Sequence, residues 1–149
     1  MTLSLTPPPG GEALDVAATT GLIGYRLRRA QLRIFQIFLS TFADLELRPA
    51  DYSVLVLIAD NPGRKQTEIA EVLGIKRANF VTLVDGLEGR GLVERRTVPG
   101  DGRANALHLT RNGKLLVGRA RAMHDAMEEA LVERVGGQEA RDTLLALLD

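Results

Sequence analysis

The side chains with chemistry to offer crowd into the middle of this chain. Lys76, Arg77, Ala78, Asn79, Val81 and Thr82 open one apolar-periodic segment, and Arg95, Arg96, Asp101 and Arg103 surround a Val-Pro-Gly-Asp-Gly turn. Such residues suit the edges and backbone of a nucleic acid. Asparagine pairs bidentately with adenine, arginine with guanine or a phosphate, and valine methyls meet the methyl of thymine. An arginine near a turn tip, such as Arg103, suits a narrow A·T-rich minor groove, where negative potential is focused. Asp101 has no positive charge to offer a phosphate, so its expected task is to structure the turn by holding Arg95 or Arg103.

Charge distribution supports this reading although total charge does not. The 149 residues carry 19 basic and 19 acidic side chains, a formal net charge of zero. From Arg64 to Lys114 there are 10 Lys/Arg against 6 Asp/Glu, a net of +4, and the remainder holds 9 against 13, a net of −4. The local field of a basic middle governs binding more than the sum does.

Other chemistries find little support. With no cysteine, disulfides, thiolate catalysis and thiol redox sensing are absent. His108 and His124 are far apart, and a metal site needs three or four converging ligands. No phosphate loop, H-E-x-x-H or G-x-S-x-G motif occurs. Glu128 and Glu129 are adjacent on a helix and point apart, a poor acid/base pair. An enzyme is therefore not expected, nor is a metal or cofactor. The first residues lack the basic start and apolar stretch of a signal peptide. No apolar run approaches the ~18 residues of a membrane span. The expected location is cytoplasmic.

The elements that must position these residues are mostly helical. Residues 1–12, with "PPPGG", read as a flexible arm. A helical pattern runs from about Leu14 to Leu45. Leu27, Ala30, Ile34, Ile37, Phe38, Thr41, Phe42 and Leu45 form one apolar row, and Leu32, Phe35 and Leu39 a second. Two rows on one helix suggest burial on two sides, as at a subunit interface. Pro49 suits the first turn of a helix reaching Asp60, and Asn61-Pro62-Gly63 a turn. Two helices follow, "QTEIAEVLG" closed by Gly74 and "KRANFVTLVDGLEGRG" closed by Gly91. Their short junction makes a helix-turn-helix. In the second, Phe80, Leu83, Val84 and Leu87 face inward, which leaves the Lys76–Thr82 end exposed, as in a recognition helix. "LVERR" and "ANALHL" read as a hairpin. Thr110 caps a long helix with Leu116, Ala120, Met123, Met127, Ala130 and Leu131 on one stripe. Gly136-Gly137 breaks it, and "QEARDTLLALL" is a last short helix.

The stretch "GLVERRTVPGDGRANALHLTRNG" resembles the wing signature of the multiple-antibiotic-resistance regulator (MarR) family. Gly91, Leu92, Val93 and Arg95 match its Gly-Leu-Val-x-Arg strand, Asp101 and Arg103 its Asp-x-Arg, and Leu109, Thr110 and Gly113 its Leu-Thr-x-x-Gly. "TEIAEVLGI" and "VDGLEGRGL" match the helix-turn-helix around it. The resemblance is close from about Leu47 to Gly113. It implies a mainly α fold with one β-hairpin. Residues 47–109 are then a winged helix-turn-helix DNA-binding domain, and 13–46 with 110–149 a helical dimerisation region drawn from both termini. It further implies a homodimeric transcription factor, usually a repressor, on pseudo-palindromic duplex DNA. Many members are released by a small aromatic or phenolic anion. Gly86, Thr82 and Lys65 depart from the family pattern, Lys65 standing where a capping serine or threonine is usual.

For such an anion, Tyr25, Arg26, Arg29 and Tyr52 are candidates, arginine as clamp and tyrosine as stacking surface. Dimer packing and surface charge explain the same residues equally well. The alternative function is a winged helix used only for protein contacts. Its recognition helix would be poor in basic and amide residues, which Lys76, Arg77 and Asn79 argue against.

Overall fold

The structure is a computed structural model that describes residues 15–98 and 100–148, with residues 102–104 described by their backbone alone. The expected 1–12 arm lies outside the described residues. The described residues fall into two compact units, divided between Gln36 and Ile37. It is mainly helical with one antiparallel hairpin.

The N-terminal helical pattern is not one helix. A short α1 (Ala17–Thr20) stops at Gly21, and α2 (Ile23–Thr41) begins two residues later. The Arg26 Nε donates to the Thr20 carbonyl at 2.6 Å, a carbonyl that the broken helix leaves without an in-helix partner. Periodicity alone missed this because Gly21 interrupts the backbone without disturbing the apolar spacing. In the first unit Leu22, Ile23, Leu27, Leu32, Ile34 and Phe35 are exposed.

The second unit builds its core around α3 (Pro49–Asp60), whose Val54, Leu55 and Ile58 are fully buried. Phe42, Phe80, Val84, Leu87, Val93 and Leu107 close around it. A 3-10 turn (Ala43–Leu45) leads into α3. Asp51 is the one buried charged residue among those described, and it accepts from the Arg48 backbone N–H at 3.0 Å and Arg48 Nε at 3.1 Å. That caps the helix start and leaves the carboxylate satisfied.

Next come α4 (Gln66–Val72) and α5 (Arg77–Gly89), with Gly74 between them at φ +63°. The left-handed conformation there, costly for residues with a Cβ, turns the chain sharply enough for α5 to cross α4. Strands β1 (Val93–Val98) and β2 (Asp101–Leu109) pair from Val93↔Leu109 to Thr97↔Asn105, and a register shift then sets Val98 against Asp101. β2 is longer than "ANALHL" suggested. Its other edge receives the end of the α3–α4 connection, through Gly63 N–H to the Leu107 carbonyl (2.9 Å) and Leu107 N–H to the Arg64 carbonyl (3.0 Å). A single bridge, Lys65↔Ala106, completes this third segment.

The long α6 (Arg111–Val135) starts at Thr110 as expected. The Thr110 hydroxyl accepts from Gly113 N–H at 3.0 Å and donates to the Gly91 carbonyl at 2.6 Å, which joins helix start to hairpin base. Of the α6 stripe, Ala120 and Met127 are buried in the chain's own core and Leu116, Met123 and Leu131 pack against it, while Ala130 is exposed; Val117 beside the stripe is buried too. Exposed leucines instead stand on α7 (Gln138–Leu148), at 144, 145, 147 and 148.

Candidate nucleic-acid interface

The inward face of α5 is as expected: Phe80, Val84 and Leu87 are buried and Leu83 is partly so. Lys76 is the residue before the helix, in extended conformation. Lys76, Arg77, Ala78, Asn79 and Thr82 are exposed and Val81 is half-buried. Among the described residues, Lys76 and Arg77 take part in no ion pair, so their charges remain available to an anionic partner. Thr82 donates its hydroxyl to the Ala78 carbonyl at 3.2 Å, within its own helix.

A trough of about 540 Å³ runs between α5 and the hairpin, with Arg77, Val81 and Asp85 on one wall and Arg95, Asp101 and Asn105 on the other. Lys65, Gln66 and Thr67 at the start of α4 close one side. Four of these, Gln66, Thr67, Asp85 and Asn105, are not among the residues that the sequence marks for chemistry. Their signal was weak, because each is an ordinary polar residue until the hairpin is folded beside α5.

The basic residues of the hairpin divide into two kinds. Arg95 is held firmly: Nη2 donates to Asp85 at 2.6 Å, Nη1 to Glu88, and Nε to Gln66 Oε1 at 3.0 Å. Its side chain is only 19% exposed. It fastens the hairpin base to α5 and α4. Arg96 is exposed and paired with the neighbouring Glu94, its Nε donating at 3.0 Å. The backbone of Arg103 lies in β2, and its side chain is outside the described residues.

Of the two partners expected for Asp101, Arg95 is taken up by Asp85, Glu88 and Gln66, and the Arg103 side chain lies outside the described residues. Asp101 also accepts from the Lys65 ammonium at 3.3 Å. Arg95 lies toward the base of the hairpin, beside the C-terminal half of α5, and Asp101 directly follows the turn at its tip. Lys65, standing where a capping serine or threonine is usual, sends its ammonium to that tip. Glu68 takes over the capping task, accepting from the Lys65 backbone N–H at 2.7 Å.

Of the four candidates for anion binding, three belong to the first unit and Tyr52 to the second. Tyr25 and Arg29 are half-buried and Arg26 is exposed, all on α2. Tyr52, on α3, stacks on His124 of α6 with ring centroids 4.8 Å apart and planes 11° apart. Phe42 lies 5.4 Å from Tyr52 and stacks on Phe38 at 4.2 Å. Burial first, then the charge of Asp125, holds the Tyr52 phenol above its ordinary ionisation range. Among the described residues no group of histidine, cysteine and carboxylate side chains could hold a metal. No helix among them is long and apolar enough to cross a membrane.

A recognition helix with exposed cations, flanked by an anchored wing, is the geometry of a known class of DNA-binding proteins. The MarR family model matches residues 45–104. A protein of Thauera aromatica assigned as the transcriptional regulator of the hcr operon is 34% identical over 86% of this chain and 77% of its own length. The chain belongs to the MarR family. Members of this family are transcriptional regulators, not enzymes, and the winged helix is their DNA-binding fold. Among solved structures, the transcriptional repressor CouR bound to a 23-mer DNA duplex is 44% identical, with a TM-score of 0.86 over 92% of this chain and 96% of that one. CouR bound to p-coumaroyl-CoA is likewise 44% identical, with a TM-score of 0.83 over 91% and 95%.

Proposed function

We propose that this MarR-family regulator is a homodimeric repressor that reads a pseudo-palindromic operator and leaves it when a small ligand binds. The observation that carries the reading is the exposed Lys76–Thr82 end of α5 beside a wing anchored by Arg95. In this reading Asn79 and Arg77 contact base edges, with Ala78, Val81 and Thr82 beside them. Lys76, Arg96 and Arg103 supply charge to the phosphate backbone or the minor groove. Arg95 and Asp101 hold the wing in place. A regulator of this kind works in the cytoplasm.

The ligand we propose is an aryl thioester of coenzyme A, supported by the 44% identity to CouR, which was solved with p-coumaroyl-CoA. A free phenolic anion is the simpler alternative. On α2, Tyr25, Arg26 and Arg29 are assigned to its phenolic end, arginine as clamp and tyrosine as stacking surface.

Binding of the protein to its own upstream intergenic region, measured by fluorescence anisotropy across a salt series, tests the first part. Affinity should fall steeply with salt, as counterions are released from neutralised phosphates, and exceed that for a scrambled duplex. Equal affinity for both duplexes would leave a non-specific binder. Addition of p-coumaroyl-CoA or p-coumarate to the complex tests the second. Release by the thioester alone supports the thioester reading, and release by neither removes this ligand class. Arg29→Ala is expected to keep operator affinity and lose the response.

A further inference from the structure

A second concave site lies on the other side of the hairpin, away from the trough beside α5. It is a cleft of about 530 Å³ between the end of α3, the strands and the first half of α6. Its floor is apolar, from Ile58, Leu109 and Val117, all buried. Arg96, Lys114 and Arg121 stand in its lining, one from β1 and two from α6, with His108 of β2 beside them. Gly118 of α6 also faces it, and a Cβ at that position would meet nothing within 4 Å.

The charges there do not cancel. Arg121 is oriented by Asp60, its Nη2 donating at 2.5 Å, and Arg96 by Glu94. Lys114 is exposed and, among the described residues, pairs with no carboxylate. Asp125, one turn along α6, also acts on Arg121, so the cleft lining itself sets three permanent cations, Arg96, Lys114 and Arg121, against one carboxylate, Asp60, over an apolar floor. A cleft so arranged matches a ligand with a compact multiple negative charge joined to a flat or apolar body. A monocarboxylate would engage one cation and leave the others unmatched.

We propose that this cleft binds the phosphate groups of a phosphorylated small molecule, and that occupancy weakens DNA binding. The coupling follows from position. Arg96 and His108 belong to the two strands that form the wing, and a polyanion held in the cleft engages Arg96, the one cleft cation assigned to the DNA backbone. By linkage, DNA must then weaken the ligand by the same factor. The phosphates have two possible sources, the coenzyme moiety of a thioester inducer or a separate phosphorylated ligand. The cleft proposal holds for either and does not require the thioester reading.

The test is calorimetric titration of the full chain, without DNA and at constant ionic strength, with coenzyme A, pyrophosphate, benzoate and sulfate. Coenzyme A should bind, and benzoate and sulfate should bind at least about tenfold more weakly, the difference of one or more charge-assisted hydrogen bonds. Pyrophosphate binding as well as coenzyme A identifies a general phosphate site, and coenzyme A alone a site that also uses the nucleotide body. Lys114→Gln should weaken the bound probe about tenfold. Gly118→Met fills the cleft without touching a charge, and should abolish binding while the melting temperature is kept, since glycine is the poorer helix former. If both variants bind coenzyme A as the parent does, or neither phosphate probe binds, the proposal fails. It also fails if Lys114→Gln loses operator affinity by the same factor with no probe present, for then the cleft serves DNA phosphates. The thioester release experiment with Arg29→Ala is read separately, so each proposal can fail alone.

Discussion

Arg95 and Asp101 stand six residues apart in the hairpin, and the structure joins each to residues outside it. Arg95 joins Asp85, Glu88 and Gln66, whereas Asp101 joins Lys65, 36 positions away. No local pattern announces either pairing, because both depend on where the wing lands against α4 and α5. The exposed residues of α5 were legible, since a 3.6-residue period fixes which positions face out once Phe80, Val84 and Leu87 face in. Two consequences can be measured. Arg95→Ala is expected to lower stability by about 1–3 kcal/mol, since it strips two carboxylates of their shared donor, and chemical denaturation will read this as a lower midpoint. Asn79→Ala should leave the midpoint within about 0.5 kcal/mol, yet cost about 1–3 kcal/mol on the cognate operator and relax preference at one base pair. The Lys65–Asp101 pair is half exposed, so a double-mutant cycle should return a coupling below about 1 kcal/mol. Tyr52 gives a prediction in pH. Its phenol titrates higher when folded than when unfolded, chiefly through burial. The corresponding stability is complete below the ordinary phenol range and declines as pH rises through the folded value. Tyr52→Phe should flatten the alkaline loss of stability, and an unchanged alkaline profile would assign that loss elsewhere.

At the scale of elements, the long-period signals were read well and the interruptions were not. Pro49, Thr110 and the Gly136-Gly137 break bound their helices as expected. The stop at Gly21 and the register shift at Thr97/Val98 were missed. Each is a backbone event of one or two residues inside an otherwise regular pattern. An apolar face such as the α6 stripe reports burial but not by which partner. Two glycines carry opposite predictions. A Cβ on Gly113 would lie 2.0 Å from the Leu92 carbonyl oxygen, which is backbone and itself accepts from Thr110 N–H. Gly113→Ala should therefore cost roughly 1–3 kcal/mol by overpacking and loosen the wing base. Gly86 is exposed in α5 with open space around it, so Gly86→Ala should gain up to about 1 kcal/mol. Thermal melts of the two variants should move in opposite directions.

For the whole molecule, the exposed leucines of α7 and the exposed apolar residues of α1–α2 are the strongest signs that the chain does not act alone. On each unit, so many large exposed apolar side chains are more than a monomer usually carries. Sedimentation is expected to find a dimer at micromolar concentration, with an interface above about 2,000 Å². A stable, folded monomer would refute this and with it the two-fold operator geometry. On such a dimer, half-sites should lie about one helical turn apart, roughly 10 bp centre to centre. Footprinting that found one unpaired half-site would count against it.

The third segment beside β2 bears on what a cut in the wing would do. Residues 101–109 are hydrogen-bonded to β1 along one edge and to Gly63–Lys65 along the other, and they continue into α6, whose inner face lies in the core. A protease that nicks the chain at Gly100, where the hairpin turns, would sever one covalent link and few of these attachments. The two fragments should co-migrate under native conditions and separate only in denaturant. Expressed as independent halves, they are candidates for spontaneous reassembly, with the wing as the seam.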